Sequence, residues 1–214
     1  MKLRASSKSA FTLIEMLTVM AVIAILAGLI VSVNAFAHRK AARVRALGEI
    51  TTMAASCEAY KGDFGDYPRD LTGSDTDDLD PRIDGDPTSA KYQKASLVLY
   101  KALSGDANAN GRATEKPYFE FRPDHLQKNS AGEIKFMKDP FGNSYGYSTA
   151  GAKLERTFRE QLLKNPSATR PTGTAAKGFN STFDLWSTGG VISKTAAGDP
   201  SVLNAERKRW VKNW

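Results

Sequence analysis

Apolar positions along the chain follow two regimes. From Met16 to Val33, eighteen consecutive residues carry no charge, about 27 Å as a helix and close to the hydrocarbon thickness of a bilayer. Beyond it, Val44, Leu47, Ile50, Ala54 and Cys57 recur at steps of 3, 3, 4 and 3. That is the period of one helix stripe, and Arg43, Arg45, Glu49 and Glu58 fall elsewhere on the surface. No proline intervenes before Pro68. The pattern predicts a nearly continuous helix from Phe11 to about Lys61, roughly 75 Å long. Its first half is apolar all round, and its amphipathic second half packs on a globular part.

In that globular part, Tyr92, Ala95, Leu99 and Leu103 predict a helix over 88–104, capped by Thr88 or Ser89 and closed by Gly105. The aromatic run Tyr118–Arg122, the short apolar run Glu133–Met137, and Tyr145-Gly146-Tyr147 after a turn with Pro140, Gly142 and Asn143 predict a small antiparallel sheet. Between them and the long helix, nine aspartates from Asp63 to Asp86 face only Arg69 and Arg82, a charge of −7. Such a segment predicts a long solvated surface loop; Asp75, Asp77, Asp78 and Asp80 could gather a hard cation, but solvation is the favoured reading. A segment from Ser148 to Gly178 holds a short helix over 152–164 with Arg156, Arg159, Lys164 and Arg170, read as a solvated lid in preference to a polyanion site. The tail Val211-Lys212-Asn213-Trp214 is either a docking edge with an aromatic anchor or a frayed end.

The 214 residues, 41% apolar and 25% charged, can bury a core, which excludes disorder throughout. Cys57 is the single cysteine and cannot close a disulfide within the chain. The formal charge of +7 falls to +4 without Lys2, Arg4 and Lys8, a weak polyanion signal, so no nucleic-acid partner is expected. Those three cations also open the apolar run as they would in a cleavable secretory signal, with Ala35-Phe36-Ala37 as its cleavage site. Against that reading stand the length of the apolar core and Glu15 near its start. A plain single-span anchor also conflicts with Glu15, because an acid in hydrocarbon costs on the order of 3 kcal/mol and marks function. Arg39, Lys40, Arg43 and Arg45 after the run balance the cations before it, so the charges leave orientation open.

The stretch Lys8-Ser9-Ala10-Phe11-Thr12-Leu13-Ile14-Glu15-Met16-Leu17 resembles the processing site of type IV prepilins and type II secretion pseudopilins. The resemblance implies cleavage between Ala10 and Phe11 by a membrane aspartyl peptidase, then methylation of the new amine; Ala10 stands where the family has glycine. Glu15 becomes the fifth residue of the mature chain. It is implied to pair with the terminal amine of a neighbouring subunit and so fix axial register. The alternative is a contact within one chain, since Phe11 and Glu15 are four apart on one helix face.

Three further stretches match that family in order. Tyr60-Lys61-Gly62-Asp63-Phe64-Gly65-Asp66-Tyr67-Pro68 resembles the Y-x-x-D-x-G-x-Y-P end of the long helix of major pseudopilins, with Asp63, Gly65, Tyr67 and Pro68 in place. Asp139-Pro140-Phe141-Gly142-Asn143-Ser144-Tyr145 is similar to their D-P-W-G-N-P-Y turn, and Phe183-Asp184-Leu185-Trp186-Ser187-Thr188-Gly189 to their F-D-L-x-S-x-G strand. By resemblance, calcium is held by an aspartate soon after that glycine and a second near the C-terminus. Gly189-Gly190-Val191 lacks the first, leaving Asp199. A separate candidate is Asp106-Ala107-Asn108-Ala109-Asn110-Gly111, half of an EF-hand loop whose twelfth position is Pro117 and not Glu, with Glu115 nearby. Asp106, Asn108 and Asn110 would be calcium ligands; a metal-free turn is the equal alternative.

No phosphate loop, G-x-S-x-G or histidine pair at metal spacing occurs, and Cys57, His38 and His125 lie too differently in the pattern for a triad, so catalysis is not expected. The expectation is an α+β, pilin-like fold. It comprises a leader over 1–10, a transmembrane or filament-core half helix over 11–37, an amphipathic half over 38–62, and a head over 63–214 with an acidic loop over 63–87 and an insertion over 149–178. By resemblance the function is that of a type II secretion pseudopilin in a periplasmic filament, anchored first in the inner membrane among its lipids. Implied partners are its own copies, minor pseudopilins, the prepilin peptidase/methyltransferase and the inner-membrane assembly platform, with a separate ATPase supplying work. The alternatives are a type IV pilin on the cell surface, a membrane-anchored hydrolase, and a membrane-anchored or secreted cation-binding protein.

Overall fold

The computed structural model describes residues 12–70, 74–192 and 200–214, with backbone alone at 30–35, 74, 174 and 200. Two compact units divide between Ala41 and Ala42. Helix α1 (Leu13–Phe64) forms the described part of the first unit and opens the second. In the first unit the large apolar side chains among the described residues, Leu13, Ile14, Leu17, Met20, Ile23, Ile25 and Leu29 included, are all at least half exposed. A helix apolar around its whole circumference has no inward face and needs lipid or protein around it.

The second unit is α+β, with the amphipathic end of α1 packed on small antiparallel sheets. Its remaining elements are α2 (Ser74–Asp77), α3 (Ala90–Ser104), β1 (Leu126–Lys128), β2 (Ile134–Met137), β3 (Gly146–Ser148), α4 (Ala150–Lys164), β4 (Asp184–Ser187), α5 (Pro200–Arg207) and β5 (Val211–Lys212). In place of one sheet there are two: β1 pairs with β2, and β4 lies between β3 and β5, every pairing antiparallel. Tyr118–Arg122 is not a strand; Tyr118, Phe119 and Phe121 pack as an irregular segment against the core.

Two cores result. Ala46, Ile50, Met53 and Cys57 of α1 meet Leu99 and Leu103 of α3, Ile134 and Met137 of β2, and Tyr147, Phe183 and Leu185. A second cluster joins Leu79, Tyr92, Ala95, Trp186, Leu203 and Trp210, with Trp214 packed against it. Successive residues of a strand face opposite ways, so Leu185 enters the first core and Trp186 the second. The sheet of β3, β4 and β5 thus separates them. Gly146 sits opposite Trp186 in the register, and a Cβ there would lie 2.2 Å from the indole; only glycine leaves room for the ring.

Helix α3 starts and stops where expected: the Ser89 side chain accepts from Tyr92 N, and Gly105, at φ +68°, donates to Lys101 O. The stripe on α1 differs in phase. Ile50 and Cys57 are buried as expected, whereas Val44 and Leu47 are 65% and 51% exposed and Ala46 and Met53 take the inner positions. Both sets have helical spacing and share Ile50 and Cys57, so periodicity alone could not separate them. The acidic stretch also differs from a free surface loop. Leu79 is fully buried, Asp77 accepts from Thr149 Oγ1 at 2.7 Å, and Asp80 accepts from Arg82 N and Gly178 N. One leucine and a set of donors from distant elements hold down a segment whose composition favours solvent. The tail is not frayed: β5 pairs with β4, and Trp214 stacks on Phe179 at 4.8 Å.

Candidate functional site

Thr12 and Glu15 open α1 as a reciprocal pair. Glu15 Oε2 accepts from Thr12 N at 2.8 Å and from Thr12 Oγ1 at 2.7 Å, while Thr12 Oγ1 accepts from Glu15 N at 3.3 Å. This is a capping box, in which side chains satisfy the amides that the first helical turn leaves unpaired. The signal was present in the sequence as Thr12-x-x-Glu15. Glu15 therefore has a partner inside one chain; Phe11, to which the four-residue spacing pointed, lies outside the described residues. Ala10 and Phe11, the expected cleavage pair, lie outside the described residues, as does Asp199.

Among the described residues no helix is long and apolar enough to cross a membrane. The eighteen-residue run extends into 30–35, where side chains fall outside the description.

In the head, the stretches singled out by resemblance bind one another. Gly65, at φ +78°, ends α1 by donating to Lys61 O at 2.7 Å. Asp63 accepts from Lys116 Nζ and Tyr118 Oη, both at 2.5 Å, and these hydrogen bonds, the lysine's first, hold its carboxyl below the usual range. Tyr67 donates to Glu58 and lies with its ring 4.9 Å from Phe183. Pro68 O accepts from the buried Tyr147 Oη at 2.8 Å.

Asp139 is the hub of its turn, accepting from Phe141 N at 3.0 Å, Asn143 N at 2.8 Å and Ser187 Oγ at 2.5 Å. Gly142 takes φ +86° to close that turn, and Asn143 Nδ2 reaches Thr188 Oγ1; Pro140 lies within it. Asp184 accepts from Phe179 N and Asn180 N. Burial pushes Asp139 and Asp184 each up to about 6, with Glu49 and Asp80 respectively adding to the rise. Trp186 Nε1 donates to Tyr92 Oη, and its ring stacks 5.9 Å from that of Trp210.

Around Asp106 the loop closes on protein donors. Its carboxylate accepts from Gly111 N at 2.6 Å, Tyr100 Oη at 2.9 Å and Asn110 N at 3.2 Å. Asn110 Oδ1 accepts from Arg112 N, and Asn108 is exposed. Ala109 adopts φ +56° to let the chain turn. Among the described residues no group of three or more His, Cys, Asp or Glu is arranged to hold a metal. The basic side chains of the insertion are largely paired: Arg156 with Asp66, Arg159 and Arg170 with Glu155.

One cluster was not anticipated. Arg45 donates to Glu49 at 2.8 Å, Asp124 at 2.9 Å and His125 Nε2 at 2.5 Å, and Tyr145 Oη donates to Glu49 at 2.6 Å. It pins α1 to Tyr145, just before β3, and to the turn at Pro123–His125. His125 read as a loop residue because nothing local marks a histidine that is buried by an element eighty positions away. Cys57 is buried and its thiol is pushed up by desolvation, which suits packing.

Residues 5–31 match the family model described as the prokaryotic N-terminal methylation motif. The chain thus carries a prepilin-type N-terminus, which supports a type IV pilin-like subunit of a pilus or pseudopilus. The same motif implies a precursor anchored in the inner membrane, processed by prepilin peptidase and then assembled into a filament. No curated protein and no solved structure matches the chain.

Proposed function

We propose that the chain is a pseudopilin of a type II secretion system. The precursor sits in the bacterial inner membrane with its head in the periplasm, is cut between Ala10 and Phe11, is methylated on Phe11, and joins a periplasmic filament that supports protein export. The observation that carries this reading is the prepilin-type motif at 5–31 on a helix whose apolar side chains are exposed all round. Packing copies of that helix together would replace lipid contact by protein contact, and Glu15 would exchange its Thr12 capping partner for the amine of a neighbouring Phe11. The turn at Asp139 and the strand at Phe183 favour a pseudopilin, as does a lone cysteine that cannot close the C-terminal disulfide many type IV pilins carry. Its partners are then its own copies, minor pseudopilins, the peptidase and the assembly platform.

Terminal sequencing and mass spectrometry of the mature chain test the reading. A chain starting at methylated Phe11, and only in cells that hold the peptidase, is expected; a start near His38 would point to an ordinary secretory signal. Glu15→Ala should leave a processed subunit that is missing from cross-linked filaments, and incorporation at the normal rate would refute the pairing. Deleting the gene should trap exported proteins in the periplasm, whereas loss of surface fibres with export intact would assign the chain to a pilus.

A further inference from the structure

Arg207, near the end of α5, is only 8% exposed. A guanidinium has five N–H donors and no acceptor, yet among the described residues this one hydrogen-bonds only to Leu203 O and Asn204 Oδ1, both neutral. Among the described residues no carboxylate forms an ion pair with it. Buried cations are ordinarily paired, because removing the charge from water is costly. Burial, and after it the nearby Arg82, lowers the pKa of Arg207, against a smaller rise from Asp80 across the cavity. Lys212 is lowered in the same order, by burial and then by Arg207.

Arg207 lines a cavity of about 390 Å³ together with Asp80, Arg82, Lys177, Phe179 and Asn204, a volume within the range of small-molecule sites. Three cations therefore face one carboxylate. Asp80 is itself largely committed: Oδ1 accepts from Arg82 N at 3.0 Å and Gly178 N at 3.1 Å, and Oδ2 lies 4.0 Å from Lys177 Nζ. The wall is apolar on one side, where Phe179 lies 5.2 Å below the Arg207 guanidinium and stacks on Trp214. A buried fork of donors, the partly exposed Arg82 and exposed Lys177 at the rim and an aromatic wall form a receptor for a planar or tetrahedral oxyanion.

We infer that the cavity between α5, the Asp80 turn and the segment around Lys177 is a binding site for a small oxyanion, carboxylate or phosphate. The anion takes the unpaired face of Arg207 and is held by Arg82 and Lys177. This inference does not depend on the assembly reading, since it concerns the head alone.

The test is calorimetric titration of the full chain in non-ionic detergent, at fixed ionic strength, with inorganic phosphate in one arm and benzoate in the other. Saturable binding of at least one probe with a Kd in the millimolar range or tighter is expected. Phosphate alone would assign the site to phosphoryl groups, and benzoate alone to carboxylates carried on an apolar body. Arg207→Gln should abolish binding. Because that side chain also supports α5, Arg82→Ala/Lys177→Ala, which removes only rim side chains, provides the second variant and should weaken binding about tenfold. Arg112→Ala/Lys135→Ala, equal in charge change and away from the cavity, should bind as the natural chain does. Neither probe saturating by about 20 mM, or the rim variant binding as tightly as the natural chain, would overturn the proposal.

Discussion

Asp139 and Asp184 should make the head more stable in mild acid than at neutral pH. Both side chains are buried, and each carboxyl is pushed from an ordinary 3.8 to about 6, chiefly by burial. A group whose folded pKa is raised binds its proton more readily in the folded chain. Its stabilising contribution is complete below the unfolded value and is lost as pH rises through about 6. At 1.36 kcal/mol per unit, the full swing is about 3 kcal/mol for each aspartate. Between pH 7.5 and 5.0 roughly half of it is realised, about 1.4 kcal/mol each and about 2.7 kcal/mol for the pair. For a chain of this size, that raises Tm by roughly 5–10 °C. Thermal melts of the full chain in detergent across that interval measure it. The interval stays above the range in which Asp63, Asp106 and Asp124, whose carboxyls are held low, begin to lose their contribution as acid protonates them. Asp139→Asn/Asp184→Asn is uncharged at every pH and still offers an oxygen to the backbone amides, so its slope should be flatter by that amount. A Tm that falls between pH 7.5 and 5.0, or a double variant with the natural slope, would refute the reasoning.

Two further outcomes follow from local geometry. Gly146→Ala places a Cβ 2.2 Å from an indole that Tyr92 and Trp210 hold from two sides, so it should cost about 3 kcal/mol and disturb tryptophan fluorescence; a Tm within 1–2 °C of the natural chain would show that the ring can move. Millimolar calcium should leave the Tm unchanged, because Asp106 already accepts from two amides and a phenol. Asp106→Ala should cost about 2 kcal/mol by unpairing them. A calcium-dependent rise of several degrees that Asp106→Ala removes would favour the EF-hand reading.

Features written within one helical turn or one strand were legible in the sequence. Ser89 and Gly105 bound α3 at its two ends, and the period of α1 marked it as a helix whose second half would pack. The Thr12-Glu15 box is equally local, but the charge of Glu15 points first to hydrocarbon and to a terminal amine, and only then to its own Thr12. What was not legible depends on partners far along the chain. The inner face of α1 is decided by which residues meet Leu99 and Tyr147, and neither Ala46 nor Met53 advertises that over Val44 and Leu47. Asp77 and Asp80 are drawn inward by Thr149 and Gly178, donors about seventy and a hundred positions away. A count of aspartates gives the mean tendency of the segment and misses the two that are buried.

The resemblance motifs carry a different kind of information from the N-terminus. Ser187 of the strand stretch donates to Asp139 of the turn stretch, Asn143 reaches Thr188, Phe183 lies against Tyr67, and Tyr147 closes on Pro68. Residues scattered over more than a hundred positions thus form one set of mutual contacts at the junction of α1, β3 and β4. Such a set constrains how a head sits on the end of its long helix, since changing one member leaves a buried polar partner unsatisfied. It constrains little about what the head binds, for its polar atoms are consumed by each other. Among the described residues, groups with unused capacity lie elsewhere, Arg207 facing its cavity and the exposed apolar side chains of α1 before Ala41 among them. If the head is a scaffold and the helix an assembly element, substitutions at Asp139 or Ser187 should lower stability without altering processing. Substitutions at Glu15 should leave the head's stability and processing unchanged and keep the subunit out of filaments.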